Sequence, residues 1–451
     1  MSDAGAAPAH RAVEAVWRIE STRLIAGLAR VVRDVGLAED LAQDALVAAL
    51  EHWPHTGVPE NPGAWLMAVA RRRGIDIIRR RQRAEPRYAE IGRELEDGRQ
   101  RAEGALDAAI DDDVGDDVLR LIFTACHPVL SAEARVALTL RLLGGLTTAE
   151  IARAYLSKES AVAQRIVRAK RTLAEARVPF ELPRGPDRAA RLGSVLEVIY
   201  LIFNEGYAAT AGDDWMRPAL CEDALRMGRV LAALAPVEPE VHGLVALMEL
   251  QASRIRARTN QAGEPVLLLD QERSRWDRLL IQRGLRALAR AESLGGMLGP
   301  YALQAAIAAC HARAETASDT DWQRIAALYD ALAQLAPSPI VELNRAVAVA
   351  MAFGPEVGLE IVDALVRAGA LEGYHLLHAV RGDLLWKLGR PREAQPEFER
   401  AAALTANEIE KALMRRRAEG CASLAPARST TIARRAPAPV RRPRRRGQPG
   451  E

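Results

Sequence analysis

Aromatic residues make up only 4% of this 451-residue chain, and strand-like alternation of polar and apolar positions is hard to find in it. Sheets draw on β-branched and aromatic side chains. Here Ala, Leu and Arg dominate, residues that lose little on entering a helix. The expected class is all-α. Cysteine is equally sparse: Cys126, Cys221, Cys310 and Cys421 lie far apart, with no CxxC pair. Cys126 beside His127 lacks the second pair that would complete a zinc set, so the four read as small buried thiols in a reducing compartment. The N-terminus carries no apolar signal core, and no run approaches the eighteen or so residues needed to cross a bilayer. A cytoplasmic protein without membrane contact is expected. No glycine-rich phosphate loop, nucleophile elbow or metal spacing accompanies the acids, so no enzyme, catalytic residue, metal or cofactor is expected.

What is present is unevenly placed. The formal net charge is only +3. Yet Arg428, Arg434, Arg435, Arg441, Arg442, Arg444, Arg445 and Arg446 crowd a tail whose only acid is Glu451, which leaves the rest of the chain acidic overall. Local basic patches then matter more than the total. Length alone calls for two to four domains. Closely spaced helices are expected over residues 10–83, and a polar, acidic linker with at most one weak helix over 84–117. A second helical block should occupy 118–178, a long Ala/Leu-rich helical region 188–420, and a disordered basic tail 421–451. Pro179, Pro183 and Pro186 punctuate the chain between the second block and the long region.

The long region carries a faint repeat. Ala394, Phe398 and Ala401 have the i, i+4, i+7 spacing of a tetratricopeptide second helix, with Gly382 and Leu385 ahead of them as the small and the large residue of a first helix. Gly358, Val362 and Leu365, with Ala346, repeat the spacing; Ile325, Tyr329 and Leu332 do so before them, with Pro337 at the helix end. Such hairpins bury their apolar faces only by stacking. Pro396 inside the last helix is a misfit and is expected to kink it.

In the first block, Leu41, Ala42, Ala45, Leu46, Ala49, Leu50 and Trp53 form one helical stripe, and Glu39, Asp40, Gln43 and Asp44 form an acidic outer face. The next helix opens with Asn61 as cap and Pro62 in its first turn. Arg72, Arg79 and Arg83 follow on one side, with Arg71, Arg73, Arg80 and Arg81 close by. Seven arginines in so short a stretch repel one another, and phosphate neutralisation is the natural purpose. Trp65 on this helix reads as core. In the second block Gly144 and Gly145 end a helix, and Thr147 to Glu150 form a capping box that starts the next. A last helix from about Ser160 buries Val162, Ile166, Ala169 and Leu173 and turns Ala161, Gln164, Arg165, Arg168 and Arg171 outward, with Lys170 nearby. A short helix, a tight turn and a basic, Gln-bearing second helix fit entry into a major groove.

Together these stretches resemble a known family. Asp34–Asp44, Asn61–Arg71 and Asp76–Arg80 are similar to region two of extracytoplasmic-function RNA polymerase sigma factors, and Glu150–Ala152 with Val162–Lys170 to region four. The two signatures, in order across one linker, cover roughly residues 10 to 178. Tyr200–Tyr207, Asp270–Trp276, Pro339–Ala348 and Tyr374–Ala379 resemble the long extension of one subgroup. Leu156 stands where the family has a small residue in the turn, and Arg72 where it often has Asn.

The resemblance implies core RNA polymerase as a partner, through the β′ clamp helices and the β flap, with Asp40, Gln43 and Asp44 docking on the clamp. It implies promoter DNA as the other. The loop from about His52 to Asn61 would take a flipped base of the minus-ten element, and Arg71, Arg72, Arg79 and Arg80 would hold the strands where they melt. The helix with Ser160 and Ala161 at its start would read the minus-thirty-five element. Gln164 and Arg165 would lie nearest the base edges, and Arg168 and Arg171 on phosphates. The repeat region would receive a protein partner or dock on the sigma domains themselves. It was also expected to be separable by a cut near Gly185. A helix-turn-helix regulator with a sensing repeat domain is the alternative, and it leaves the acidic face and the arginine helix without a purpose.

Overall fold

The computed structural model describes residues 6–82, 106–261, 263–295 and 299–424. Among them are eighteen α-helices and two two-residue strands. The first three helices are α1 (Ala6–Val32), α2 (Val35–Thr56) and α3 (Pro62–Gln82). Asp34 caps α2 by accepting the Leu37 amide at 3.0 Å, and Asn61 caps α3 through the Ala64 amide at 3.0 Å. Both caps satisfy donors that a helix start leaves orphaned. Next come α4 (Leu106–Ala125), α5 (Ala132–Leu142), α6 (Thr148–Ala154) and α7 (Glu159–Glu175). Helix α4 crosses the boundary expected at residue 117, so the second block begins earlier than its composition indicated. Most of the expected linker, residues 84–105, lies outside the described residues.

The remaining helices are α8 (Pro186–Tyr207), α9 (Pro218–Leu234), α10 (Pro239–Ala252), α11 (Arg278–Ser293), α12 (Pro300–Arg313), α13 (Trp322–Leu335), α14 (Pro339–Phe353), α15 (Pro355–Arg367), α16 (His375–Lys387), α17 (Pro391–Leu404) and α18 (Glu408–Leu424). Many open on a proline in the first turn, where its missing N–H costs nothing. Successive helices pack as hairpins. Gly382 lets Phe398 close on its backbone, since a Cβ there would lie 2.9 Å from the ring, and Gly358 lets α15 meet α14 at Ala346 and Ala350. Helix α17 continues through Pro396 rather than ending there.

The array closes on itself. Strands β1 (Ala211–Gly212) and β2 (Ala406–Asn407) pair in parallel, and buried Asn407 donates to the carbonyls of Ala209 and Asp214. Arg273 is not half of an i, i+4 helix pair with Asp277. It lies buried in a 3₁₀ turn, donating to the carbonyls of His311 and Ala314, while Asp277 caps α11. The basic tail lies outside the described residues beyond Leu424, where α18 ends.

One apolar core runs from Val13 to Ala252 without a break. Leu28, Leu41 and Leu66 of the first block, Leu121, Leu138, Leu142 and Ile151 of the second, and Phe203 of α8 are all fully buried in it. Each such side chain contributes about 1.5–3 kcal/mol through burial. Gly185 therefore marks no separable hinge. Helix α8, which follows it directly, packs on α4 and α5, and cutting there would expose the face they share.

Candidate nucleic-acid interface

The second block is a helix-turn-helix. The Thr147 hydroxyl accepts the Glu150 amide and the Glu150 carboxylate accepts the Thr147 amide, the reciprocal capping box expected from sequence. Ile151 and Ala152 of α6 face inward, as do Val162, Ile166, Ala169 and Leu173 of α7. Ser160, Ala161, Gln164, Arg168 and Arg171 are exposed, and Arg165 is half-buried, close enough to Glu133 to lower the pKa of that carboxyl. Arg168 donates to the Gln164 side chain at 3.2 Å, and Arg171, 77% exposed, pairs with Glu175 at 2.6 Å. The outward face thus carries two guanidinium groups held only by exposed neighbours on the same helix, contacts that phosphates or base edges can replace at little cost.

The turn is unusual. Leu156 sits at φ 47°, a left-handed conformation that costs an L-residue roughly 1–2 kcal/mol. Its side chain reaches Gly212 of the array, whose own φ is 98°, and a Cβ at that glycine would lie 2.5 Å from the Leu156 methyl. The departure from a small residue at this turn is matched by a glycine across the seam. Arg226 of α9 also caps the end of α5, donating to the carbonyls of Leu143 at 3.2 Å and Gly144 at 3.0 Å.

The arginine helix divides its charges. Arg71 is half-buried, and burial together with Arg30 holds its guanidinium below the ordinary range. Arg72 is exposed. Arg73 donates to the Asp44 carbonyl at 2.8 Å and lies 3.5 Å from its carboxylate. The backbones of Arg79 and Arg80 belong to α3, and their side chains lie outside the described residues. The loop between α2 and α3 is shorter than expected, because α2 continues through Pro54 to Thr56. Its residues 57–61 include exposed Val58. Trp65 packs edge-on against buried Trp53 at 5.4 Å between ring centroids, a core arrangement.

The acidic face of α2 holds the largest difference from expectation. Glu39 is not on an outer surface: its side chain is 2% exposed, with Arg141 of α5 at 2.7 Å and Lys170 of α7 at 2.6 Å. Burial pushes its carboxyl up, but the two cations outweigh burial and hold it below the usual range. Gln43 donates to Glu39 at 2.5 Å, and Asp40 lies 3.4 Å from Lys170. All three residues expected to meet the polymerase thus have partners within the chain: Asp40 and Gln43 through this cluster, Asp44 through Arg73. Helix periodicity put Glu39 on the polar side. What buries it comes from residues more than a hundred positions away, which no local pattern signals.

Among the described residues, no group of three or more His, Cys, Asp and Glu side chains could hold a metal ion, and no helix is long and apolar enough to cross a membrane. Burial raises the Cys126 thiol to about 11, which keeps it unreactive.

Comparison with known proteins bears on both blocks and on the array. Residues 19–84 match Sigma-70 region 2, residues 120–173 match Sigma-70 region 4, and residues 191–292 match a family of unknown function, DUF6596. An uncharacterized protein of Rhizobium meliloti (strain 1021) is 46% identical over 390 residues, 86% of this chain and 90% of that one. The ECF RNA polymerase sigma factor SigK of Mycobacterium ulcerans (strain Agy99) is 30% identical over 156 residues, 34% of this chain and 78% of that one. Its counterpart in Mycobacterium tuberculosis (strain H37Rv) is 29% identical over 148 residues, 32% and 74% respectively. No solved structure matches. With both sigma regions matched in order on the helices that carry the acidic face and the helix-turn-helix, the chain belongs to the extracytoplasmic-function (ECF) RNA polymerase sigma factors, with a long helical extension at its C-terminus.

Proposed function

We propose that this chain binds core RNA polymerase through the acidic side of α2 and directs initiation by placing α7 in the minus-thirty-five element and α3 at the minus-ten element. The observation that carries the reading is the division of α7 into a buried apolar stripe and an exposed face of Ser160, Ala161, Gln164, Arg168 and Arg171. Gln164 and Arg165 reach base edges; Arg168 and Arg171 neutralise phosphates. Arg71, Arg72, Arg79 and Arg80 hold the separated strands, and the 57–61 loop receives an unstacked base. Asp40, Gln43 and Asp44 meet the β′ clamp helices, while the second block meets the β flap.

The array acts in cis. Its helices α8 and α9 share the core of the second block, and Arg226 and Gly212 reach the end of α5 and the turn before α7. It sets the position of the recognition helix and so the activity of the factor, and its closed ring of hairpins offers a surface to a protein partner. Run-off transcription with core polymerase and genomic fragments tests the whole reading. Promoter-dependent initiation on addition of the chain is expected. A chain that binds DNA yet confers no initiation on core enzyme is instead a regulator of the helix-turn-helix kind.

A further inference from the structure

The Glu39 cluster joins three helices that serve two different tasks. The carboxylate belongs to α2, the cations to α5 and α7, and the residues lie 102 and 131 positions apart in sequence. A buried carboxylate is tolerated only when paired, and removing one partner strands the others. The cluster also takes up residues assigned to polymerase docking: Gln43 donates to the same carboxylate, and Asp40 lies 3.4 Å from Lys170. On the same side of the molecule α1 packs along α4, and Arg30 pairs with Asp117 at 3.0 Å.

This arrangement cannot be the one that spans a promoter. The minus-ten and minus-thirty-five elements are about 25 base pairs apart, roughly 80 Å at about 3.4 Å per step. Here the helix assigned to one element touches the region assigned to the other, through Lys170 against Glu39. Residues 83–105 between α3 and α4 can bridge such a distance, since an extended chain covers about 3.3–3.6 Å per residue. The recognition face of α7 is itself exposed. What the closed arrangement withholds is therefore the spacing between the two DNA-reading regions and part of the docking face of α2.

We propose that Glu39, clasped by Arg141 and Lys170, is a latch that holds the recognition domain against the polymerase-docking side of α2, so that core RNA polymerase and the closed arrangement compete for one acidic surface. The proposal rests on the sigma-factor reading above and adds a step to it: engagement of the polymerase frees Lys170 and Arg141, and the two regions separate to promoter spacing. Lys170, at the inner edge of the recognition helix, then becomes available to DNA.

The test is a distance measurement in the full chain, with spin labels at Thr56→Cys on α2 and Ala174→Cys on α7, both exposed positions outside the machinery named above. The four native cysteines are buried. The otherwise wild-type labelled chain should give one short distance population, and Glu39→Arg should abolish it by bringing three cations together. Adding Lys170→Glu to Glu39→Arg restores one acid between two cations and should restore the short population, which a merely misfolded protein would not do. Core polymerase added to the chain without the charge changes should also remove the short population. A short population that persists in Glu39→Arg, that the second change fails to restore, or that saturating core polymerase leaves in place overturns the latch. Polymerase binding is read separately by co-elution. If the charge series behaves as expected but polymerase does not bind, the sigma-factor reading fails, and the competition with it, while the intramolecular clasp stands.

Discussion

The second block has two seams, and they are built from different materials. Toward the array it is apolar: Val195, Val198, Ile199 and Ile202 of α8 are all buried in the core that holds Leu121, Ile122 and Leu138. The polar contacts there, such as Arg191 to the Phe123 carbonyl at 2.8 Å, lie beside that core. Toward α2 the block presents charge, with Arg141 and Lys170 reaching one carboxylate. An apolar seam has no substitute partner in water and holds for the life of the fold. An ion-paired seam can be exchanged for another charged surface of the right sign, because desolvating the charges costs much of what pairing them returns. The first seam makes the array part of the recognition domain. The second leaves room for a change of partner.

Breaking the apolar seam should have the largest effect. Ile199 is buried against the second block, lining a cavity of about 470 Å³ with Val118, Ile122, Thr139 and Leu143. Ile199→Ala is expected to cost about 2–5 kcal/mol. Because the core is continuous, urea unfolding followed by circular dichroism should show the second block and the first array helices lost in one transition at a lower midpoint. Two separated transitions, with the second block unmoved, would mean that the seam is an ordinary domain contact.

Charge reversal on α2 comes next. Asp44 is half exposed and its carboxylate lies 3.5 Å from Arg73, so Asp44→Arg should leave the melt within about 0.5 kcal/mol. Against a basic polymerase surface the same change sets like charges together, which costs several kcal/mol, and pull-down of the β′ subunit should be lost. Asp40→Arg should also lose it, and it sets a second cation beside Lys170, only 3.4 Å away in the unaltered chain. The two reversals therefore separate the seams: Asp44→Arg tests docking alone, Asp40→Arg docking and latch together. Pull-down at the unaltered level by folded Asp44→Arg would remove that residue from the docking face.

Much of this was legible in the sequence, and the exceptions have a common cause. The helical class, the capping box at Thr147 and Glu150, the Asn61 cap and the buried stripe of α7 are all local, set by residues a few positions apart, and periodicity captures such patterns. Glu39 was read as exposed because its burial depends on Arg141 and Lys170, distant in sequence. The shared core was missed for the same reason. Pro179, Pro183 and Pro186 signal an interruption of helix, and Pro186 does start α8, but proline carries no information about what the next helix packs on. Arg72 and Arg73 illustrate a finer limit. Adjacent arginines on one helix look alike in sequence, yet Arg72 is exposed while Arg73 is tied to Asp44.

The recognition helix offers a smaller and more specific effect. Arg165→Ala should relax discrimination at one promoter position by about 1–3 kcal/mol, the usual value of a base-edge contact. Arg171→Ala should weaken binding to all sequences alike and lower the slope of affinity against salt. Its pairing with Glu175 at 2.6 Å is fully exposed and offers little competition to a phosphate. Binding to a set of promoter variants at several salt concentrations distinguishes the two. Even loss by both mutants would place Arg165 on the backbone as well.

The smallest effect lies at the turn, where the array touches the helix-turn-helix most sparingly. Leu156 holds a left-handed backbone at φ 47°, and its side chain is 57% exposed, so its contact with Gly212 covers only part of it. Asn accepts that backbone region more readily than Leu. If the strain outweighs the contact, Leu156→Asn should stabilise the protein by somewhat less than about 1 kcal/mol, seen as a higher urea midpoint at unchanged slope. The unfavourable case is as informative. A lower midpoint would mean that the Leu156 methyl resting on Gly212 is worth more than the strain, and that the array holds the turn in shape. Gly212→Ala then supplies the check from the other side. Its new Cβ would lie 2.5 Å from Leu156 Cδ1 on a backbone at φ 98°, so it should destabilise the Leu156 protein. In the Leu156→Asn background it should cost less, because the clash is gone and only the backbone penalty remains. Equal costs in the two backgrounds would show that the turn and the array do not sense each other at this point, leaving Arg226 and the apolar core to carry their coupling.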